Sequence, residues 1–318
     1  MRKVALLYNP DSGGRRKRRQ SELQTALGLF RGAGIEAGLI LTHSSAHAED
    51  EARKAMLAGC DTLFACGGDG TIHNFLQVLA NTHVALAILP MGTANALAHD
   101  LGLPTNVVAA VTAALHGTLR RVAVGHVRYL NLQAQRDTRY FIVAAGIGVD
   151  AQLFYKLHAA DKQLLGMAAY YAEAWQLWFT HSMTRFQVEY TETGSHNPRS
   201  ATLTELLGVR IRNFGGVLRE LAPGASLDRT DLRLVLCRTA SRLAYLSYVT
   251  RGLLRRNWKI PGIDLAHSEK VSCQYLPPVA NGALHNKVYV EADGELLGTL
   301  PVEITVVPDA LTLLAPSR

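Results

Sequence analysis

Hydrophobic and polar positions divide the chain into two regimes. Over roughly the first 120 residues, short runs that are apolar throughout alternate with stretches of helical period. Residues 4–8, 35–41, 62–66 and 84–89 are read as strands, and 15–32, 46–58 and 71–80 as the helices between them. Strands buried on both faces lose the in–out alternation of a one-sided sheet, so this pattern predicts a doubly wound parallel sheet covered by helices. Beyond residue 120 the pattern changes to short strand-like runs (122–127, 141–145, 185–190, 206–212, 232–237, 287–291 and 303–307) broken by turn-forming residues. A long apolar helical stretch over 151–179 interrupts them, and its large side chains are read mainly as core.

The fold class expected is therefore α/β plus β, an N-terminal parallel-sheet domain followed by an antiparallel β-sandwich or open barrel. The boundaries are placed at 1–125 and 126–300, with 301–318 a closing segment that returns to the first domain. Two domains suit a chain of 318 residues. The apolar start over 4–8 ends at Asn9-Pro10, too short for a signal sequence, and no run reaches the ~20 apolar residues of a spanning helix. A cytoplasmic protein is expected. Its four cysteines lie far apart without ligand spacing, which speaks against a disulfide framework or structural zinc. The twelve histidines are read as surface or packing residues.

Charge adds one local feature. Of the formal +7, five positive charges come from the consecutive run Arg15 to Arg19, and 7 − 5 leaves +2 for the rest. A solvated helix face and attraction to phosphates, of a nucleotide or an anionic membrane, are both open readings. Nucleic acid is not expected, since no aromatic interleaving accompanies the run.

The strongest chemical signal is Gly67-Gly68-Asp69-Gly70-Thr71, directly after the third strand. Glycines there let the backbone approach a phosphate chain, and the following helix turns its N–H groups toward the same anion. Thr71 can cap that helix or bind a phosphate oxygen. Asp69 calls for a cation, Mg²⁺ or a basic partner. Two further turns, Asn9-Pro10-Asp11-Ser12-Gly13-Gly14 and Gly92-Thr93-Ala94-Asn95, follow the first and fourth strands at the same sheet edge. Ligands of such sheets bind at that edge, and three such turns point to a polyphosphate.

These three motifs, in this order and spacing, resemble the diacylglycerol kinase catalytic family, which includes soluble bacterial lipid kinases and is related to sphingosine and ceramide kinases. The similarity extends to Gly146–Ala151, Asn213–Gly216, Ala222–Ala225, the Val290–Glu295 segment that holds Asp293-Gly294-Glu295, and Leu300–Ile304. It implies an α/β nucleotide domain, a β-rich lipid domain and an active site in the cleft between them. It implies ATP and Mg²⁺ as cofactors and transfer of the γ-phosphoryl group to a lipid hydroxyl. By the same resemblance Asn9, Ser12 and Gly13 contact phosphate, Thr42 lies near the nucleotide, and Gly67, Gly68, Asp69, Gly70 and Thr71 cradle the phosphate chain. Gly92, Thr93 and Asn95 lie beside it. Asp293 is expected to take the hydroxyl proton, with Glu295 close by. From the residues alone Asp293-Gly294 reads first as a hairpin turn.

Two departures stand out. Ala96 follows Asn95 where relatives often have an acid, and Arg229 stands where relatives place an acid that helps hold a structural Mg²⁺, flanked by Asp228 and Asp231. The segment 242–259 mixes leucines and Trp258 with Arg251, Arg255, Arg256 and Lys259, which fits either an interface with anionic lipid or a packed helix with a solvated face. The partners expected are a lipid substrate at the membrane surface and anionic phospholipid, with peripheral membrane association and a second copy of the chain as further candidates. Two alternatives remain at this stage: an NAD kinase-like enzyme, although the Asn-Glu pair of such enzymes is missing near Asn95 and Asn106, and a non-catalytic nucleotide- or lipid-binding relative.

Overall fold

The computed structural model describes residues 1–10, 16–149, 183–215, 220–254, 259–277 and 287–316. The apolar stretch 151–179, together with Ser12, Gly13 and Arg15, lies outside them. The chain divides into two units, one comprising 1–124, 213–215 and 307–316 of these residues, the other 125–212 and 220–306. The first and last of the divisions fall inside two long strands.

In the first unit β1 (Lys3–Tyr8), β2 (Glu36–Leu41), β3 (Thr62–Gly67) and β4 (Ala85–Pro90) form a parallel sheet in the order β2-β1-β3-β4. Between them run α1 (Arg16–Gly32), α2 (Ser45–Leu57) and α3 (Asp69–Leu79), followed by α4 (Ala96–Asp100) and α5 (Val107–Leu115). Every residue of β3 and β4 is buried, which is why they read as unbroken apolar runs. Val4, Leu6 and Tyr8 join Phe64, Cys66, Ala87 and Leu89 in one core with Leu23, Ala26, Leu27 and Phe30 of α1 and Val111 of α5. The alternate strand residues serve the other face, where α2 and α3 pack on each other. α2 starts cleanly because the Ser44 side chain accepts the N–H of His47.

The second unit is an antiparallel sandwich. It contains β5 (Thr118–Asn131, from Gly125 on), β6 (Arg136–Phe141), β7 (Ala144–Gly148), β8 (Phe186–Thr191), β9 (Pro198–Leu203), β10 (Glu205–Val209) and β11 (Leu232–Cys237). After α6 (Arg242–Leu254) come β12 (Ile263–Ser268), β13 (Lys270–Tyr275), β14 (Tyr289–Ala292) and β15 (Glu295–Ala315). One run of neighbours is β12-β11-β10-β7-β14-β15, and β15 continues through β13 to β8 and β9. Its core gathers Phe141, Phe186, Leu206, Leu234, Val271, Val290 and Ile304. β15 ends in the first unit, where Thr312 and Leu313 pair in parallel with Ala85 and Leu86 of β4.

The strand expected over 141–145 is two strands with a break at Ile142 and Val143. The cause lies far along the chain. The N–H groups of Ile142 and Val143 donate to the carboxylate of Asp293 and so leave the ladder, and that of Ala144, the first residue of β7, donates to it as well.

Candidate functional site

The parallel register fixes where the motif turns lie. Tyr8 is opposite Leu41 and Cys66, and Gly67 is opposite Pro90. Asn9, Thr42, Gly68 and Met91 therefore leave the sheet side by side at its carboxyl edge. Thr42 is buried and its N–H donates to the Tyr8 carbonyl at 2.9 Å. Asn9 is half-buried just after β1.

The two glycine turns touch each other. A Cβ on Gly92 would lie 2.4 Å from the Gly68 Cα and 2.7 Å from Asn95 Oδ1, so only glycine permits this backbone-to-backbone approach. A Cβ on Gly67 would fall 2.2 Å from Thr71 Oγ1. Thr71 thus packs back over the turn, and the helix cap is Gly68, which offers no side chain for capping. The expectation that Thr71 caps α3 is corrected on that ground. Asp69 opens α3 at its positive end, half-buried, with Oδ1 shielded from solvent.

Asn95 is a lock for its own turn. It is buried in the left-handed region (φ 49°), its Oδ1 accepts the Gly92 N–H at 2.9 Å, and its amide donates to the Gly92 carbonyl at 2.9 Å. Thr93 stands exposed at the tip, where its hydroxyl can meet a ligand. From α1, Arg19 donates to the Met91 carbonyl at 2.5 Å, one residue before the turn, and Arg18 pairs with Glu22 at 2.9 Å. Those two members of the basic run are engaged within the protein.

Asp293 and Glu295 sit in the second unit, on the tight turn joining β14 to β15. Asp293 and Gly294 both have positive φ, 51° and 82°, the geometry of a two-residue type I′ hairpin. Asp293 is buried, and its Oδ1 accepts from Val143 and Ala144 (2.8 and 3.2 Å) while Oδ2 accepts from Ile142 (3.0 Å). Its own N–H donates to the Ala144 carbonyl. Glu291, also buried, accepts the Gly294 N–H at 2.9 Å. The Glu295 side chain, by contrast, is exposed and makes no hydrogen bond or ion pair among the described residues. The nest of N–H groups over 142–144 and the buried Glu291 were not singled out by motif, because tertiary contact alone gives them their place.

The structural Mg²⁺ implied by resemblance does not fit the residues present. Asp231 is buried and held by both oxygens: Arg229 donates from Nε and Nη2 at 2.6 Å each, Thr193 from its hydroxyl at 2.9 Å, and His267 lies 3.3 Å away. Arg210, fully buried, donates to the Asp231 carbonyl at 2.6 Å. Burial pushes the Arg210 guanidinium down to about 10, against the pull of Asp231. At Asp231 burial opposes ionisation, but the Arg229 and Thr193 hydrogen bonds and the nearby His267 and Arg229 charges outweigh it, and its carboxyl is lowered. A guanidinium occupies the place a cation would need. Elsewhere, His43 and His47 are four residues apart and their rings stack at 5.7 Å, with Glu51 at 3.6 Å from His47. No group of three or more metal-binding side chains occurs among the described residues.

This arrangement gives a test. Arg229→Ala leaves a buried carboxylate short of its main partner, and a loss of about 2 kcal/mol is expected in denaturant unfolding. Stability of the parent should be equal in EDTA and in Mg²⁺. Asp231 has a lowered folded-state pKa, so its contribution is present above about pH 4 and drains away as pH falls through the folded value. The variant should lose that acid-side dependence.

Comparison with known proteins places the chain among relatives. Residues 3–127 match the diacylglycerol kinase catalytic domain, and 142–315 match the YegS C-terminal NAD kinase beta sandwich-like domain. A diacylglycerol kinase of Bacillus subtilis is 27% identical over 306 residues, covering 95% of this chain and 93% of that protein. One from Staphylococcus saprophyticus is 28% identical over 305 residues, covering 95% and 92%. The crystal structure of a diacylglycerol kinase from Bacillus anthracis superposes with a TM-score of 0.71 at 20% identity, covering 98% and 96% of the two chains. Yeast NADH kinase shares the fold more distantly, with a TM-score of 0.51 at 8% identity over 100% of this chain and 84% of that one. Among the described residues no helix is long and apolar enough to cross a membrane.

Proposed function

Because the chain belongs to the diacylglycerol kinase family, we propose that it transfers the γ-phosphoryl group of ATP to the hydroxyl of a membrane lipid, with diacylglycerol, a sphingoid base or phosphatidylglycerol as acceptor. It is a lipid kinase by that membership. The finer reading is supported chiefly by one observation: the register brings four strand ends, and both described glycine turns, to one edge, with Gly68 and Gly92 in backbone contact.

Phosphoryl transfer asks mainly for positioning and charge neutralisation. The turn 67–71 and the start of α3 offer backbone N–H groups and a positive dipole to the phosphates. Thr93 offers a hydroxyl, Asn95 holds the turn that presents it, and Asn9 and Thr42 flank the edge. Asp69 is the acid on this edge that would hold a Mg²⁺ ion arriving with ATP, an ion that supplies neutralisation of phosphate charge. For the proton of the lipid hydroxyl the structure leads us to divide the roles expected of Asp293 and Glu295. Both Asp293 carboxylate oxygens are turned to the backbone N–H groups of Ile142, Val143 and Ala144, and the side chain is buried, so its lone pairs are directed away from a substrate hydroxyl. Asp293 therefore positions the turn, and Glu295, exposed and without a partner among the described residues, accepts the proton.

Incubation with labelled ATP and a panel of lipids in mixed micelles, followed by chromatography, tests the reading. A phosphorylated lipid is expected, and ADP formed with NAD but with no lipid would favour the NAD kinase-like alternative. Asp69→Ala should abolish turnover while leaving the melting temperature near that of the parent, since it sits at the sheet edge. Near-normal turnover by this variant would remove the cradle from the mechanism.

A further inference from the structure

A second charged feature lies in the sandwich unit, on residues the phosphoryl-transfer reading does not use. Next to α6 is a cleft of about 660 Å³ with Arg233, Arg251 and Lys259 in its lining, among apolar Pro223, Ile263 and Leu265. Its lining contains one acid, Asp264, which already pairs with Arg238 at 3.0 Å. Burial holds the Arg233 guanidinium below its ordinary value, and the nearby Arg229 and Arg251 charges push it the same way, against Tyr248 and Asp231. Like charges gathered in a half-buried cleft whose lining carboxylate is already paired are stabilised by an incoming anion.

The cations are held in place from behind. Arg233 donates from Nε to the Pro223 carbonyl at 2.7 Å, which leaves the rest of its guanidinium without a partner among the described residues. The Arg251 guanidinium lies over the Tyr248 ring at 4.4 Å, and that ring is fixed by a Tyr248 hydroxyl bond of 2.5 Å to the Leu221 carbonyl. Planar guanidinium groups positioned in this way suit the oxygens of a phosphate better than lone ammonium groups do.

The helix alongside is inverted in its outer face. Tyr245 and Tyr248 are buried, whereas Leu243, Leu246 and Leu254 are 77%, 46% and 60% exposed. At ~100° per residue these leucines fall within an arc of about 80° on the side opposite the tyrosines, and Arg251 projects between the two faces. A stripe of leucines turned to water, edged by arginine and lysine, is the composition of a surface that lies in a bilayer's headgroup region.

We propose that the Arg233–Arg251–Lys259 cleft and the leucine face of α6 together form a docking site for the phosphate headgroup of an anionic phospholipid in a bilayer. The arginines and the lysine take the phosphate, and the leucines enter the boundary between headgroups and acyl chains. The proposal rests on the lipid-kinase reading only in its motive, because the acceptor lipid is found in that bilayer; the site itself stands on the sandwich unit.

Sedimentation of the full chain with phosphatidylcholine vesicles, with and without phosphatidylglycerol, tests it. Binding should require phosphatidylglycerol. Arg251→Gln combined with Lys259→Gln should weaken it roughly fivefold per charge, about 25-fold together, with an unchanged melting temperature. Leu243→Ser with Leu254→Ser should weaken it too, without altering its dependence on salt. Equal binding by parent and the charge variant, or equal binding to both vesicle types, would overturn the proposal. So would a melting-temperature rise in inorganic phosphate, lost in the charge variant, with vesicle binding untouched, since the cleft would then serve free phosphate. Turnover of a short-chain diacylglycerol dispersed without vesicles should be the same in parent and variants. A parent inactive on every lipid would instead overturn the kinase reading, while the vesicle result would stand.

Discussion

Glu295→Gln is expected to lower kcat by at least ~10²-fold with ATP affinity and melting temperature unchanged, the loss typical of a missing general base. The residue is exposed and bonds to nothing described, so the amide removes proton acceptance and little else. Asp293→Asn should show the complementary signature. One amide oxygen cannot replace two carboxylate oxygens that take the N–H groups of Ile142, Val143 and Ala144, and the new amide hydrogens would face those donors. A loss of about 2 kcal/mol is expected, read as a fall of several degrees in melting temperature. Asn-Gly forms a type I′ turn as readily as Asp-Gly, so the hairpin itself survives. Measuring kcat, ATP binding and melting temperature on both variants separates the roles. A stable Asp293→Asn protein with a hundredfold loss, beside an active Glu295→Gln protein, would hand the proton back to Asp293.

The second large effect is expected at Gly92. Alanine there would set a methyl carbon 2.4 Å from the Gly68 Cα and 3.0 Å from the Gly68 N, backbone atoms that cannot swing aside. The two turns must part, and displacement of about 1 Å in a positioning group costs ~10²-fold in rate. ATP affinity should fall with it, while stability changes little, because Gly92 is exposed at the sheet edge. Gly28→Ala in α1 is the control: nothing lies within 4 Å of its added carbon, and alanine favours the helix. Turnover by Gly92→Ala at the parent's rate would show that the contact between the turns does not matter to catalysis.

The parallel unit was legible because its signals are local. β3 and β4 are buried on both faces and each runs into a glycine turn, so hydrophobic runs and punctuation coincide there. The sandwich was legible in kind and less so in detail. Residues 198–203 form a strand whose first residues face solvent, and 263–268 carry Asp264 and His267 on a strand at the end of its run. Neither shows the apolar alternation that reveals a half-buried strand. Short helices over 96–100 and 107–115 were likewise missed, the first because five residues give no period. At the site, motif and spacing found the turns but not the partition of work within them. That Asn95 locks a turn, that Asp293 feeds a nest 150 residues away and that Arg229 grips Asp231 depend on contacts formed only in the folded chain.

The pairing of β15 with β4 has a consequence for how the protein is made. The parallel sheet is complete only when Thr312 and Leu313 lie beside Ala85 and Leu86, a separation of 312 − 85 = 227 residues. A nascent chain that has emerged as far as β4 carries an apolar strand with an open edge, and that edge stays open throughout translation of the sandwich. Vectorial folding, first domain first, therefore yields a sheet that still lacks its last strand. Its N-terminal half must wait, with an adhesive edge uncovered, which makes that interval the one in which a holding chaperone has most to protect.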